Sequence, residues 1–415
     1  MIGRGVAPRA TTLSPPNNAR GLMMRSVGRQ LEDHKGVGPG FDAVRIGLAF
    51  LILYIHCSLL NPDPALEAAP AFPYAPFARW AVDFAALPMF FALSGFLVAA
   101  SVERLPLGQF LTNRALRIFP ALGVEITLSA LILGPLLTSV ALGQYFSDPA
   151  FYKYFLNILG SIHYELPGMF LSNPHPAIVN GALWTVPHEL TCYALLTVMV
   201  LCGVYRRRWL LLAATVALLG VSIAVFLAPQ FGLRLPGQDA LNYLFVTRGA
   251  ARLVPLFLVG LLIYRFRHEI PYRGEIAALA AVSYVALSQF GSPAWLANPL
   301  FSAATAPLLG YVVIYLGLSP RLEFKILKGR DYSYGVYLYG YPLQQTMIQL
   351  FPGVTSVATF FAMSVAASLA MASFSWNVIE KPILRLRRRW SVSAQIHVSP
   401  EKSEEPAPAA RPATA

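Results

Sequence analysis

The chain has 415 residues, of which 56% are apolar and only 13% charged, and its formal net charge is +12. A soluble domain carries roughly 25% charged residues, so this composition excludes one or two soluble domains, a disordered chain and a nucleic-acid-binding surface. The class that remains is an all-α polytopic membrane protein, and the few charges become the informative positions.

Residues 1–40 are rich in Arg, Gly, Pro and Asn and lack a helical period. They read as a basic disordered tail without the apolar core and small-residue cleavage site of a signal peptide. Residues 41–390 form the membrane domain. Its apolar segments, near 43–60, 80–100, 120–141, 182–204, 209–228, 249–264, 275–290, 299–318, 333–351 and 354–378, are each about as long as a helix crossing roughly 30 Å of hydrocarbon requires. That gives about ten spans. The stretch 142–181 is broken by Asp, Pro and His and reads as an external loop, with an interfacial helix from Tyr152 to Gly160. Residues 391–415 end in a Pro/Ala/Glu stretch and read as a second disordered tail.

Charge placement tests this topology. With a cytoplasmic N-terminus, 27 of the 32 Lys and Arg fall in cytoplasmic segments, leaving Arg79, Lys153, Arg234, Arg248 and Arg252 elsewhere. The bias toward one side follows the positive-inside rule and places both termini in the cytoplasm. The chain shows no internal repeat of the kind many transporters carry.

Several side chains inside or beside the spans carry chemistry. Arg45 and His56 are eleven residues apart, about three helical turns and about 16 Å, so they share one face. That face offers an anion-binding cation near the cytoplasm and an imidazole in the outer half; a snorkelling Arg and a packing His would share the same spacing. Glu189 and Tyr193, four apart, also share a face. Glu189 can orient an imidazole or bind a hydroxyl, and it can equally be satisfied by the Tyr193 phenol. Ser94 and Gly95 suit close helix approach. Arg114 and Arg117, three apart at the cytoplasmic edge, suit phosphate binding or simple anchoring.

Two sharper readings fail on spacing. Cys57 and His56 are adjacent and point about 100° apart, which argues against a thiol–imidazole pair. His188-Glu189 begins like a zinc motif, but Cys192 stands where the second His belongs, so no metal is expected. The three cysteines, Cys57, Cys192 and Cys202, are too few for a disulfide framework.

Taken in order, these segments resemble the acyltransferase 3 family of integral-membrane acyltransferases. The resemblance is carried by FDAVRIGLAFLILYIH (41–56), FFALSGF (90–96), RALRIFP (114–120), LWTVPHELTCY (183–193), SYGVYLYGYP (333–342) and VIEKPILRLRRR (378–389). It implies transfer of an acyl group, most often acetyl, from cytoplasmic acyl-CoA to a hydroxyl of a surface polysaccharide, lipid-linked glycan or lipo-oligosaccharide. It also implies a multi-pass protein of a bacterial cytoplasmic (inner) membrane, with acyl-CoA as donor substrate and no bound cofactor. His56 would act as general base or transient acyl carrier, supported by Glu189 and Arg45. Arg114, Arg117, Tyr193, Trp184 and Ser94 would bind substrates. The chain departs from the pattern at Gly340, where many relatives carry a His, so no role for a second His transfers. The segment after 390 is also shorter than the esterase-like domain some relatives append. The competing readings are a transporter or flippase of a glycan precursor, and a membrane scaffold that tolerates loss of His56 and Glu189.

Overall fold

The computed structural model describes residues 25–60, 76–289, 295, 298–327, 329, 331–354 and 356–384. Among these residues regular structure is helical, apart from one isolated bridge between Ser26 and Pro271. The long helices are α2 (Phe41–Leu60), α3 (Pro76–Arg104), α4 (Leu107–Leu128), α5 (Val186–Leu201), α6 (Arg208–Leu227), α7 (Arg248–Arg265), α8 (Gly274–Gln289), α9 (Pro299–Gly317), α10 (Tyr332–Leu350) and α11 (Val357–Ser375), preceded by the short α1 (Val27–Asp33). Each long helix overlaps one expected apolar segment.

Crossing a membrane is a stricter test. Six helices among the described residues are long and apolar enough by length and composition, and a bent pair, Gln238–Val246 with Gly249–Arg265, adds a seventh if taken as one span. The chain is therefore a multi-pass membrane protein. α5 and α8 have 16 residues each, about 24 Å at 1.5 Å per residue, short of the hydrocarbon thickness. α10 is long enough but is diluted by Ser, Tyr and Gln.

Two expectations change. Residues 25–40 do not form a disordered tail. Ser26 accepts a hydrogen bond from the Arg29 amide as N-cap of α1, Val27 N donates to Ile270 O at 2.9 Å, and buried Gln30 donates through Nε2 to Leu318 O at 2.8 Å. One cap and one buried amide thus dock a segment whose composition alone reads as polar. The rest of that tail, 1–24, and the tail 391–415 lie outside the described residues. The second change is in α4, which starts at Leu107, directly after Pro106, and runs on through a π-helical turn (Ser129–Leu133) to Leu137. Arg114 and Arg117 therefore lie on the helix itself, ahead of the apolar segment expected from 120. The loop 142–181 does hold short helices, Leu142–Ser147 and Pro149–Tyr154, followed by a 3-10 turn that ends at Gly160.

α3 and α7 approach closely at two glycines. A Cβ on Gly95 would strike the Phe257 carbonyl, and one on Gly260 would strike the Ala92 carbonyl. Each glycine admits the other helix's backbone, the small-residue contact by which helices associate in lipid. Gly95→Val is expected to force the pair apart and cost about 3 kcal/mol. A fall in the thermal midpoint of the detergent-purified protein would register it, and an unchanged midpoint would refute the contact.

Candidate active site

The seam between α2, α3, α4, α5, α7 and α10 encloses a cavity of about 120 Å3. Leu87, Phe90, Phe91, Leu93 and Phe257 give it an apolar wall, while Arg45, Arg114, Arg117, Glu189, Tyr193 and Tyr337 supply the polar groups. The volume is below the roughly 300 Å3 at which drug-sized ligand pockets begin. It has room for a small group and not for a whole nucleotide or sugar chain.

Two of the lining arginines, Arg45 and Arg117, belong to a charge cluster beside the cavity. Asp331, the residue before α10, accepts hydrogen bonds through Oδ2 from Arg45 Nη1 at 3.2 Å and from Arg117 Nη2. Its Oδ1 accepts from the Ser333 hydroxyl at 2.5 Å. Burial opposes ionisation of Asp331, but Arg117 and Arg45 outweigh it and hold the carboxyl well below the usual carboxylate range. Arg114 lines the cavity beside Arg45 and Arg117 but differs from them in one respect: its Nε is buried with no hydrogen-bond partner. A second polar pair stands on α5, where the Tyr193 phenol donates to Glu189 Oε1 at 2.7 Å. The wall beside it is fixed by Tyr337, whose hydroxyl bonds Thr185 Oγ1 at 2.8 Å and Ala182 O at 3.0 Å.

Six of the eight residues singled out from sequence thus line one cavity: Arg45, Ser94, Arg114, Arg117, Glu189 and Tyr193. Two do not. Trp184 packs its ring edge-on against His188, with centroids 5.9 Å apart. His56 stands on α2 outside the lining, its ring edge-on to Tyr341 at 5.1 Å. A Cβ on Gly181 would lie 2.7 Å from the Tyr341 ring, and Ala182 lines the cavity. A chain of contacts through Tyr341, Gly181 and Ala182 therefore links the imidazole to the cavity. Cys57 is turned away, its thiol bonded to Ser364 Oγ at 3.7 Å and to Gln344 Nε2 at 3.0 Å.

Several residues around the site escaped the sequence reading. Asp331 gave no signal, because its partners are 286 and 214 positions away. Glu125 did give one, as a carboxylate inside an expected span. It is buried and accepts from Ser129 Oγ at 2.9 Å and Asn180 Nδ2 at 3.0 Å. Asn180 also donates to Leu338 O at 3.0 Å, so it ties the cavity's 181–185 wall to α4 and α10. The adjacent Gln344 and Gln345 are likewise polar in an apolar run. Gln344 Nε2 donates to Leu53 O at 2.9 Å on α2, and Gln345 Nε2 donates to His175 O and Ile178 O at 2.8 Å each. At Gly340 a Cβ would come within 2.7 Å of Leu53 Cδ1, so the space that a His would need is filled by α2.

A multi-helix membrane protein with a small internal cavity, walled by guanidinium groups and one carboxylate, defines a membrane-embedded site for a small anionic or polarised group. The sequence matches the acyltransferase-domain family over residues 39–376, and the chain belongs to the acyltransferase 3 family. It is similar to nodulation protein 10 of Rhizobium leguminosarum bv. viciae, with 28% identity over 394 residues that cover 88% of this chain and 100% of the relative. It is also similar to the O-acetyl transferase of Shigella phage Sf6, with 28% identity over 354 residues that cover 83% of this chain and 95% of the relative. No solved structure matches the chain significantly.

Proposed function

We propose that this acyltransferase moves an acetyl group from acyl-CoA to a carbohydrate hydroxyl on a surface polysaccharide, lipid-linked glycan or lipo-oligosaccharide. It does so in a bacterial cytoplasmic membrane, with ten spans and both termini in the cytoplasm. The observation that carries the reading is the cavity itself, with Arg114 Nε unmatched among three guanidiniums and opposite an apolar wall. The thioester arm enters past these cations, which favour its phosphates and the negative charge that develops on the carbonyl oxygen. His56 takes the proton from the acceptor hydroxyl. The acceptor oxygen bonds the acyl carbon, the C–S bond breaks, and the leaving thiolate takes up the proton. Glu189, held by Tyr193, orients the acceptor or the imidazole. Transfer requires Tyr341 or the Gly181–Ala182 turn to yield, since these lie on the path from the cavity to His56.

The similarity to a protein named O-acetyl transferase supports acetyl as the group and oxygen as the acceptor atom. The test is purified protein in detergent with acetyl-CoA and a de-acetylated glycan. CoA release that depends on the glycan is the expected result. Glycan movement across a vesicle without CoA release would instead favour the flippase reading. In the same assay Arg114→Ala is expected to raise the apparent KM for the donor about tenfold, the loss of one charge-assisted contact worth roughly 1.4 kcal/mol. An unchanged donor KM would remove Arg114 from the donor path.

A further inference from the structure

The head of α6 carries a second basic site that the reaction does not use. Arg206, Arg207, Arg208, Arg265, Trp209 and Leu210 line an open groove of about 750 Å3. Two of the four guanidiniums are already neutralised: Arg208 pairs with Glu269, and Arg265 pairs with Glu103 and donates to the Arg206 carbonyl at 2.9 Å. Arg206 and Arg207 are exposed and have no acidic partner among the described residues. The first N–H groups of the 20-residue α6 open here without a side-chain cap, which adds the partial positive charge of a helix N-terminus.

The other side of the groove is apolar. Trp209 is 65% exposed and Leu210 42%. Both begin a helix with mean hydropathy 2.7, the highest among the candidate spans, of which only 22% is buried inside the protein. The groove therefore sits where a lipid-facing helix meets water, cations on one side and hydrocarbon on the other, with an indole at the boundary.

That combination matches an amphiphilic anion. We propose that the groove binds the phosphate headgroup of an anionic membrane phospholipid, with Arg206, Arg207 and the α6 amides on the phosphate and Trp209 and Leu210 along the acyl chains. Inorganic phosphate shares the headgroup chemistry but has nothing to place against Trp209 and Leu210.

The test uses full-length protein, delipidated in neutral detergent, and native mass spectrometry with phosphatidylglycerol and phosphatidylcholine of identical acyl chains. Wild-type protein is expected to retain phosphatidylglycerol at least tenfold better, since basic side chains beside an anionic headgroup favour it over a zwitterionic one. The Arg206→Gln, Arg207→Gln double variant is expected to bring the two lipids to parity, each single variant to fall between, and Trp209→Ala to weaken retention of both lipids. Because both arginines are exposed and unpaired, the substitutions leave packing intact, and Arg206→Lys with Arg207→Lys should keep the preference. Equal retention of the two lipids by wild type, or an undiminished preference in the Gln variants, would overturn the proposal. So would displacement of phosphatidylglycerol by millimolar inorganic phosphate or CoA, which would assign the groove to a soluble ligand.

Discussion

Replacement of His56 by alanine is expected to lower glycan acylation at least a hundredfold while the protein accumulates at its normal level. The magnitude is that of a general base removed from a transfer reaction. The normal level follows from the packing: the imidazole is half-buried, and its ring contact is the edge-on approach to Tyr341. The measurement pairs ester content of the glycan by NMR with immunodetection of the protein in membranes. Near-normal ester content would remove His56 from the chemistry and favour a cavity that works without it.

The second large effect is expected at Asp331. Asp331→Asn keeps the shape and removes the charge that two half-buried guanidiniums share. Stripping one partner from a fully buried ion pair costs about 3 kcal/mol or more, because the charge left behind is uncompensated; the partial exposure of this cluster brings the expected cost somewhat below that. The detergent-purified variant is expected to unfold at clearly lower temperature and to lose donor binding. Wild-type stability would refute the cluster. The pH dependence has a definite sign. The carboxyl of Asp331 is held below its unfolded value of about 3.9. Its contribution is therefore fully present above about pH 4 and is lost only as pH falls through the lower folded value. Between pH 5 and 8 the cluster is constant, so any titration of activity there belongs to another group.

Part of this site is legible in the sequence because helical geometry converts spacing into direction. Glu189 and Tyr193, four apart, do share a face and a hydrogen bond. Arg45, Arg114 and Arg117 stand out as rare cations near apolar runs, and they reach one cavity. The same geometry does not tell depth. Arg45 and His56 lie on one helix, yet the first lines the cavity and the second lies beyond Tyr341. Nor does spacing along one helix reveal pairings between helices. Asp331 joins α2 to α4 from a loop remote from both in sequence, and nothing in its neighbourhood marks it. The start of α4 at Leu107 was hidden for a related reason: an apolar window finds the hydrocarbon-like centre of a helix, while the helix itself continues as long as backbone hydrogen bonds and Pro106 allow. Docking of residues 25–40 rests on contacts with Ile270 and Leu318, which composition cannot express.

Gln344 and Gln345 have a consequence of a mechanical kind. Adjacent helical residues point about 100° apart, so one turn of α10 holds α2 in one direction and the 173–178 loop in another. Asn173 closes the second tie by donating to Gln345 Oε1 at 2.8 Å. In the language of machined parts, the His56-bearing helix and the His175-bearing loop are dimensioned from a common datum. Positional errors measured from one datum do not accumulate, so a shift of α10 carries both elements with it.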